Sequence, residues 1–345
     1  MNEYYPSKHD TKTPTDTLEQ RNSVNDVPSE AMRQTMSASE YKRQIDMALE
    51  AKEYHHWNSP AEQEANRRRV ENYDAKKRAA DVSSLQTQSS VLGESGEHFD
   101  QANLARIQSD FGSNKIEIYN ERTFEREKVS AENRNRVLGL RELEDGKICV
   151  KDTDDIDDIR HVSTHETLHD LSFQNQESDS HVFIDVTDRL VEDRKTVTTS
   201  GIHQIYDHKI TSDGSVIENH HADLNRALNE GITEYKSIIE MQKRGEFPRF
   251  DSYTEQVGWA QKLEGKVGKD VLDAAYYGGN LDALEQRVND MSPEADAWRK
   301  LNAAIDGYSR TDISAEVRKG YCQRAEQLIN DLQEDRLKER GAYRL

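Results

Sequence analysis

Between Ile156 and Leu171 the chain carries Ile156, Ile159, Val162, Leu168 and Leu171 at the three- and four-residue steps that gather side chains on one face of a helix. The acids just ahead of it, in "DTDDIDD", suit the positive end of a helix dipole. They lack the glycine and the spacing of a calcium loop. The same stretch holds His165, Glu166 and His169. Histidines four apart lie one turn apart on one face, so both imidazoles can address one point without bending the backbone. Glu166 stands one step further round. A chain built on such a helix must bring the complement of that polar face from elsewhere.

Strand texture precedes this helix. "KIEIY" alternates, with Ile116 and Ile118 on one face, and "RVLGLREL" and "KICVK" flank the turn "EDG" as a hairpin. After the helix, "TVTTSGIHQIYDHKI" reads as extended and "TSDG" as a turn. "ENHHADLNRALNEGITEYKSIIEMQKRG" then reads as a helix with Leu224, Ala227, Leu228, Ile232, Tyr235, Ile238 and Ile239 on its apolar face. Beyond residue 248 the pattern is helical to the end. The expected class is α+β: a small mixed sheet, one central helix and a helical tail.

The remaining organisation follows from composition. Residues 1–36 are too poor in aliphatic side chains to offset the entropy of ordering, which predicts disorder. Residues 37–95 read as a helical region, with Ser59 as cap and Pro60 at a first helical position, closing in a linker at "SSLQTQSSVLGESGE". The expected core spans 100–247 and the helical subdomain 248–345. A net charge of −19 argues against nucleic-acid binding, and the basic clusters Arg67-Arg68-Arg69 and Lys76-Lys77-Arg78 are interleaved with acids. Two distant cysteines give no disulfide framework, and no apolar run of about 18 residues suggests a membrane span. The N-terminus has no apolar signal segment. The expected location is cytoplasmic as synthesised, with export by a route that uses no cleaved signal left open.

The spacing H-E-x-x-H suits zinc, with two neutral imidazoles as ligands and a carboxylate beside the ion. A further protein ligand is needed. The completion H-E-x-x-H-x-x-G-x-x-H fails here, because Ser172 and Asn175 occupy the required positions, and no downstream G-T-x-x-D is present. "LNEGITEY", Leu228 to Tyr235, offers an Asn-Glu dipeptide. Together "HETLH" and "LNEGITEY" resemble the gluzincin branch of the zincin metallopeptidases. The resemblance implies one Zn2+ held by His165, His169 and Glu230, with Glu166 as the base that activates a water on it. It also implies that Glu234, four residues after the ligand glutamate, orients a zinc histidine. Glu230 lies 61 positions after His169, a longer interval than in thermolysin-like enzymes.

The fold implied is a zincin-like catalytic domain with a helical lower lobe and an N-terminal extension. The activity implied is hydrolysis of a peptide bond in a protein or peptide lying along a sheet edge, either "KICVK" or "LGLREL". Such enzymes add a Tyr or His donor for the oxyanion. Tyr206, His220 and His221 are the candidates, with His203, His208 and Tyr235 behind them. Two alternatives stay open: an exopeptidase or amidase using the same metal, and a zincin-fold binding or effector module without turnover. The retained Glu166 argues against a decayed site.

Overall fold

A 36-residue helix, α1 (Pro60–Ser95), is the first described element of the computed structural model. The structure describes residues 60–112, 116–128, 137–142, 146–184, 189–212, 215–248 and 253–333. The expectations of disorder over 1–36 and of helix over 37–59 lie outside the described residues.

The segment read as a linker is instead the second half of α1. Its buried residues Ala80, Ser83, Ser84, Thr87, Val91 and Ser95 recur at helical spacing. They are small, so α1 packs closely on α4 (Ile156–Leu171). Hydroxyls are satisfied across and within that contact: Thr167 Oγ1 donates to Ser84 Oγ at 2.9 Å, and Thr87 Oγ1 to the Ser83 carbonyl at 2.8 Å. A turn of 3₁₀ helix and α2 (Gln101–Asp110) follow. Asp100 caps α2 by accepting from the Asn103 N–H.

The first sheet contains β1 (Ile116–Tyr119), β2 (Gly139–Arg141) and β3 (Ile148–Lys151), in the order β1-β3-β2. β1 is parallel to β3, and β2 antiparallel to it, so the sheet is mixed as expected. One face packs Ile116, Ile118, Ile148 and Val150 on Ile159 and Val162 of α4 and on Ala80 of α1. The other buries Tyr119, Phe124 and Cys149, Phe124 belonging to α3 (Glu121–Glu127). β3, within "KICVK", is the central strand, which leaves β1 and β2 at the edges among the described residues, β2 lying next to α4.

The long interval between the two motifs is filled by a second sheet, the antiparallel meander β4 (Gln174–Ile184), β5 (Leu190–Ser200), β6 (His203–Ser212) and β7 (Ser215–Leu224). Only part of it was expected. β7 pairs with β6 from Gln204↔Leu224 to Ser212↔Ser215, so residues 218–224, read as the start of a helix, are strand. The helix α5 (Arg226–Lys243) begins after Asn225, whose left-handed φ of 64° separates the two elements.

Helices α6 (Thr254–Val267), α7 (Lys269–Gly278), α8 (Leu281–Met291), α9 (Ala297–Ser309) and α10 (Ala315–Asn330) complete the α+β chain. The main core lies among them and takes in Leu168 and Leu171 of α4 and Leu228 and Ile232 of α5. Each of these two helices therefore anchors an apolar face in the bundle. Among the described residues, no helix is long and apolar enough to cross a membrane.

Candidate metal centre

α4 starts on Asp155, whose carboxylate accepts the Asp157 N–H at 2.9 Å, and Asp157 and Asp158 occupy its first turn. This is the capped, acid-led start that "DTDDIDD" predicts. Tyr276 of α7 then ties α4 to α5. Its hydroxyl bonds Thr233 Oγ1 at 2.7 Å and donates to the Leu168 carbonyl at 3.3 Å.

"LNEGITEY" is accounted for residue by residue. Leu228 and Ile232 are in the core. The Asn229 Oδ1 accepts the Ile202 N–H at 3.0 Å, clamping the β5–β6 turn to the helix. Gly231 lies against α6 so closely that a Cβ there would come 2.7 Å from the Gln256 backbone. Tyr235 donates to Glu264.

The faces left over meet. His165 Nε2 and His169 Nε2 are 3.1 Å apart, and Glu230 Oε2 lies 3.3 Å from the second and 3.5 Å from the first. A tetrahedral zinc with bonds of about 2.0–2.1 Å holds its ligands roughly 3.3–3.4 Å apart. The spacing therefore fits such an ion. His165, His169 and Glu230 form a group able to hold a metal ion.

The donor chemistry agrees with that fit. Glu234 Oε2 is 2.8 Å from His165 Nδ1, so Nδ1 carries the proton and Nε2 presents its lone pair. The other oxygen, Oε1, is 2.9 Å from His161 Nε2. Burial opposes ionisation of Glu234, but the bonds from His161 and His165 outweigh it and hold the carboxyl down at about 2. Burial likewise opposes charge on His165 and Glu230. Bonds with Glu230 and Glu234 nevertheless raise His165, and the charge of His169 with bonds from both histidines pulls Glu230 well down. Without a metal these pairings favour a proton on His165, which a cation held by the three residues would displace.

Glu166 is 7% exposed and is not one of the three. Burial raises its carboxyl, and the neighbouring His165 and His169 only partly offset this. Gly139 of β2 rests on it: a Cβ there would fall 2.9 Å from Glu166 Cγ and 2.4 Å from Val162 Cγ1. A bulkier residue at 139 would push the carboxylate aside.

The candidate donors are placed elsewhere. Tyr206, His220 and His221 belong to the meander, where His221 pairs with Asp207 at 2.7 Å, and His220 lies 3.5 Å from Glu218 and beside the His208 ring. His203 and His208 pair with Asp223 and Asp193. Two residues not singled out in the sequence stand at the centre. His161 is one turn before His165, a repeat of the four-residue spacing that could have drawn notice. Tyr253, on the cap of α6, stacks its ring on His165 at 6.2 Å and 11° between planes. Tyr253 is 39% exposed, so the charge of Glu230, more than burial, raises its phenol above the ordinary range.

Comparison of the chain with models of known protein families, with curated proteins and with solved structures finds no match.

Proposed function

We propose that the chain is a zinc peptidase of the gluzincin type with a zincin-like catalytic body. The observation that carries this reading is the convergence of His165, His169 and Glu230 at tetrahedral ligand spacing, with a buried Glu166 beside them. When bound, zinc supplies Lewis acidity, lowering the pKa of a water and polarising a carbonyl.

The chain's own residues divide the remaining work. Glu234, bridging His161 and His165, fixes the tautomer of a ligand. Glu166, whose pKa is raised by burial, accepts the proton of the attacking water and delivers it to the leaving amine. Tyr253 has a protonated phenol beside the centre, suited to donate to the carbonyl oxygen as it gains charge. Among the described residues β2 ends the sheet, and an extended peptide can add along it as a strand. Gly139 keeps that edge close to Glu166.

Metal analysis tests the reading first. The purified chain should hold one zinc, and Glu230→Ala should lower zinc affinity at least about 100-fold by removing an anionic ligand. Full zinc occupancy in that variant at sub-micromolar free metal would overturn the ligand set. Digestion of a denatured proteome, read by mass spectrometry, should show new peptide termini that chelation abolishes. Tyr253→Phe should lower kcat by about 10- to 1,000-fold with metal content unchanged, the scale of losing one oxyanion donor. An unaltered kcat would remove Tyr253 from the mechanism.

A further inference from the structure

Val162, Glu166 and Asp170 share one face of α4, each four residues from the next. β2 runs along that face. Gly139 rests on Val162 and Glu166, and two residues on, Arg141 Nε donates to Asp170 Oδ1 at 2.7 Å. The strand advances about 6.6 Å over two residues and the helix about 6 Å over four, so the two stay in step. Arg141 thus stands one helical turn beyond the base, on the strand that ends the sheet among the described residues.

Asp170 already has a cation. Arg106 of α2 donates to Asp170 Oδ1 at 3.3 Å, to the Asp170 carbonyl at 2.7 Å, to the Ser172 carbonyl at 3.3 Å and to Asn103 Oδ1 at 3.4 Å. Through Nη1 and Nη2 its guanidinium fastens the end of α4, while its buried Nε has no partner. Two guanidiniums therefore share one carboxylate oxygen. The Arg141 side chain is only 10% exposed, and Asp170 only 12%. Among the described residues, Nη1 and Nη2 of Arg141 donate to no partner. No atom of Arg141 is a buried orphan, so its free N–H groups reach solvent and are open to an anion. A protein of net charge −19 does not gather acidic ligands by its overall field, so a local cation must select them.

Resting on the peptidase reading, we propose that Arg141 receives a substrate carboxylate close to the scissile bond, so that the protein selects acidic substrates. The carboxylate has two sources, an Asp or Glu side chain or a free C-terminus. Both present the planar pair of oxygens that a guanidinium fork binds in a bidentate manner.

The test uses the full zinc-loaded chain and a decapeptide library in which Asp and Glu alternate with Asn and Gln, each peptide made as free acid and as amide. Cleavage products are read by mass spectrometry. In parallel, binding of the same peptides to Glu166→Gln protein, with and without Arg141→Gln, is followed by calorimetry. Wild type should favour an acid over its amide counterpart about tenfold or more at one fixed distance from the cut. Arg141→Gln should bring that ratio close to one. Arg141→Lys, which keeps the charge and loses the fork, should leave an intermediate ratio and guards against a folding defect in the first variant. Enrichment at a side-chain position identifies Asp or Glu, whereas a preference for free acids over amides identifies the C-terminus. A ratio near one in wild type, or one unchanged by both substitutions, overturns the proposal. If no peptide is cut yet acidic peptides bind in an Arg141-dependent way, the carboxylate site stands and the peptidase reading falls. If neither is seen, both fall.

Discussion

Replacing Glu166 with glutamine is expected to leave one zinc per chain while peptide hydrolysis falls by roughly 100- to 10,000-fold, the range that general-base catalysis commands. Glutamine has the shape of glutamate and adds no atom against Gly139, where the fit is already tight. What it lacks is the ability to accept a proton. The three residues grouped as metal ligands do not include Glu166, so the cation should be retained. The contrast with Glu230→Ala is the informative part. One substitution should remove turnover and keep metal, whereas the other should remove metal and turnover together. Wild-type turnover in Glu166→Gln protein, with the metal in place, would assign the base elsewhere. Loss of metal in that variant would instead make Glu166 a ligand.

The centre was legible in the sequence because each half of it is local. His165 and His169 need only a helix to share a face, and the apolar spacing of Ile159, Val162 and Leu168 supplied one. Glu230 and Glu234 repeat the same four-residue logic on α5. That the two helices meet is a tertiary fact. Its anchors were nonetheless visible as the apolar faces around Leu168, Leu171, Leu228 and Ile232. The small sheet was legible too, as an alternating strand and a hairpin.

Four features were misread or missed for separate physical reasons. Ser83, Ser84 and Thr87 look like linker residues by composition, yet close helix packing needs small side chains and tolerates hydroxyls that find partners. The meander escaped full recognition because it leaves most of both faces open to solvent. β4 shows only a partly buried Gln174 followed by exposed residues, so no apolar alternation marks it. Its strands are held by cross-strand backbone pairing in register, which no local pattern reveals. Leu224 continued the helical spacing of Leu228, and only the left-handed turn at Asn225 stops the helix there. Tyr253 reaches His165 from the start of α6, a contact between distant segments that spacing could not have selected.

Removing the Asp273 carboxylate should be the most damaging change away from the metal. Asp273 is fully buried on α7 and pairs with Lys236 of α5 and Lys269, while Ser95 Oγ donates to it at 3.2 Å. Lys236 is itself 8% exposed on its side chain and lies 5.0 Å from the Tyr277 ring centroid. Asp273→Ala would strand that ammonium among aromatic rings, at a cost of about 3–5 kcal/mol. The thermal midpoint should drop on the order of 10 °C. Replacing both partners, Lys236→Met with Asp273→Leu, should recover much of the loss, since no charge is then left unpaired. The pH dependence has a definite sign. Burial works against the Asp273 carboxylate, but the charge and bonds of the two lysines hold its folded pKa below the ordinary 3.8. Its contribution is therefore complete above that value and is lost as the pH falls through it toward the folded pKa. Wild type should lose stability over that acid window, and Asp273→Asn should show less of the loss. Because Tyr276, three residues on, bonds both α4 and α5, Asp273→Ala should also weaken zinc binding. Equal denaturant midpoints for wild type and Asp273→Ala would show that Lys236 finds water or another anion when its partner is removed.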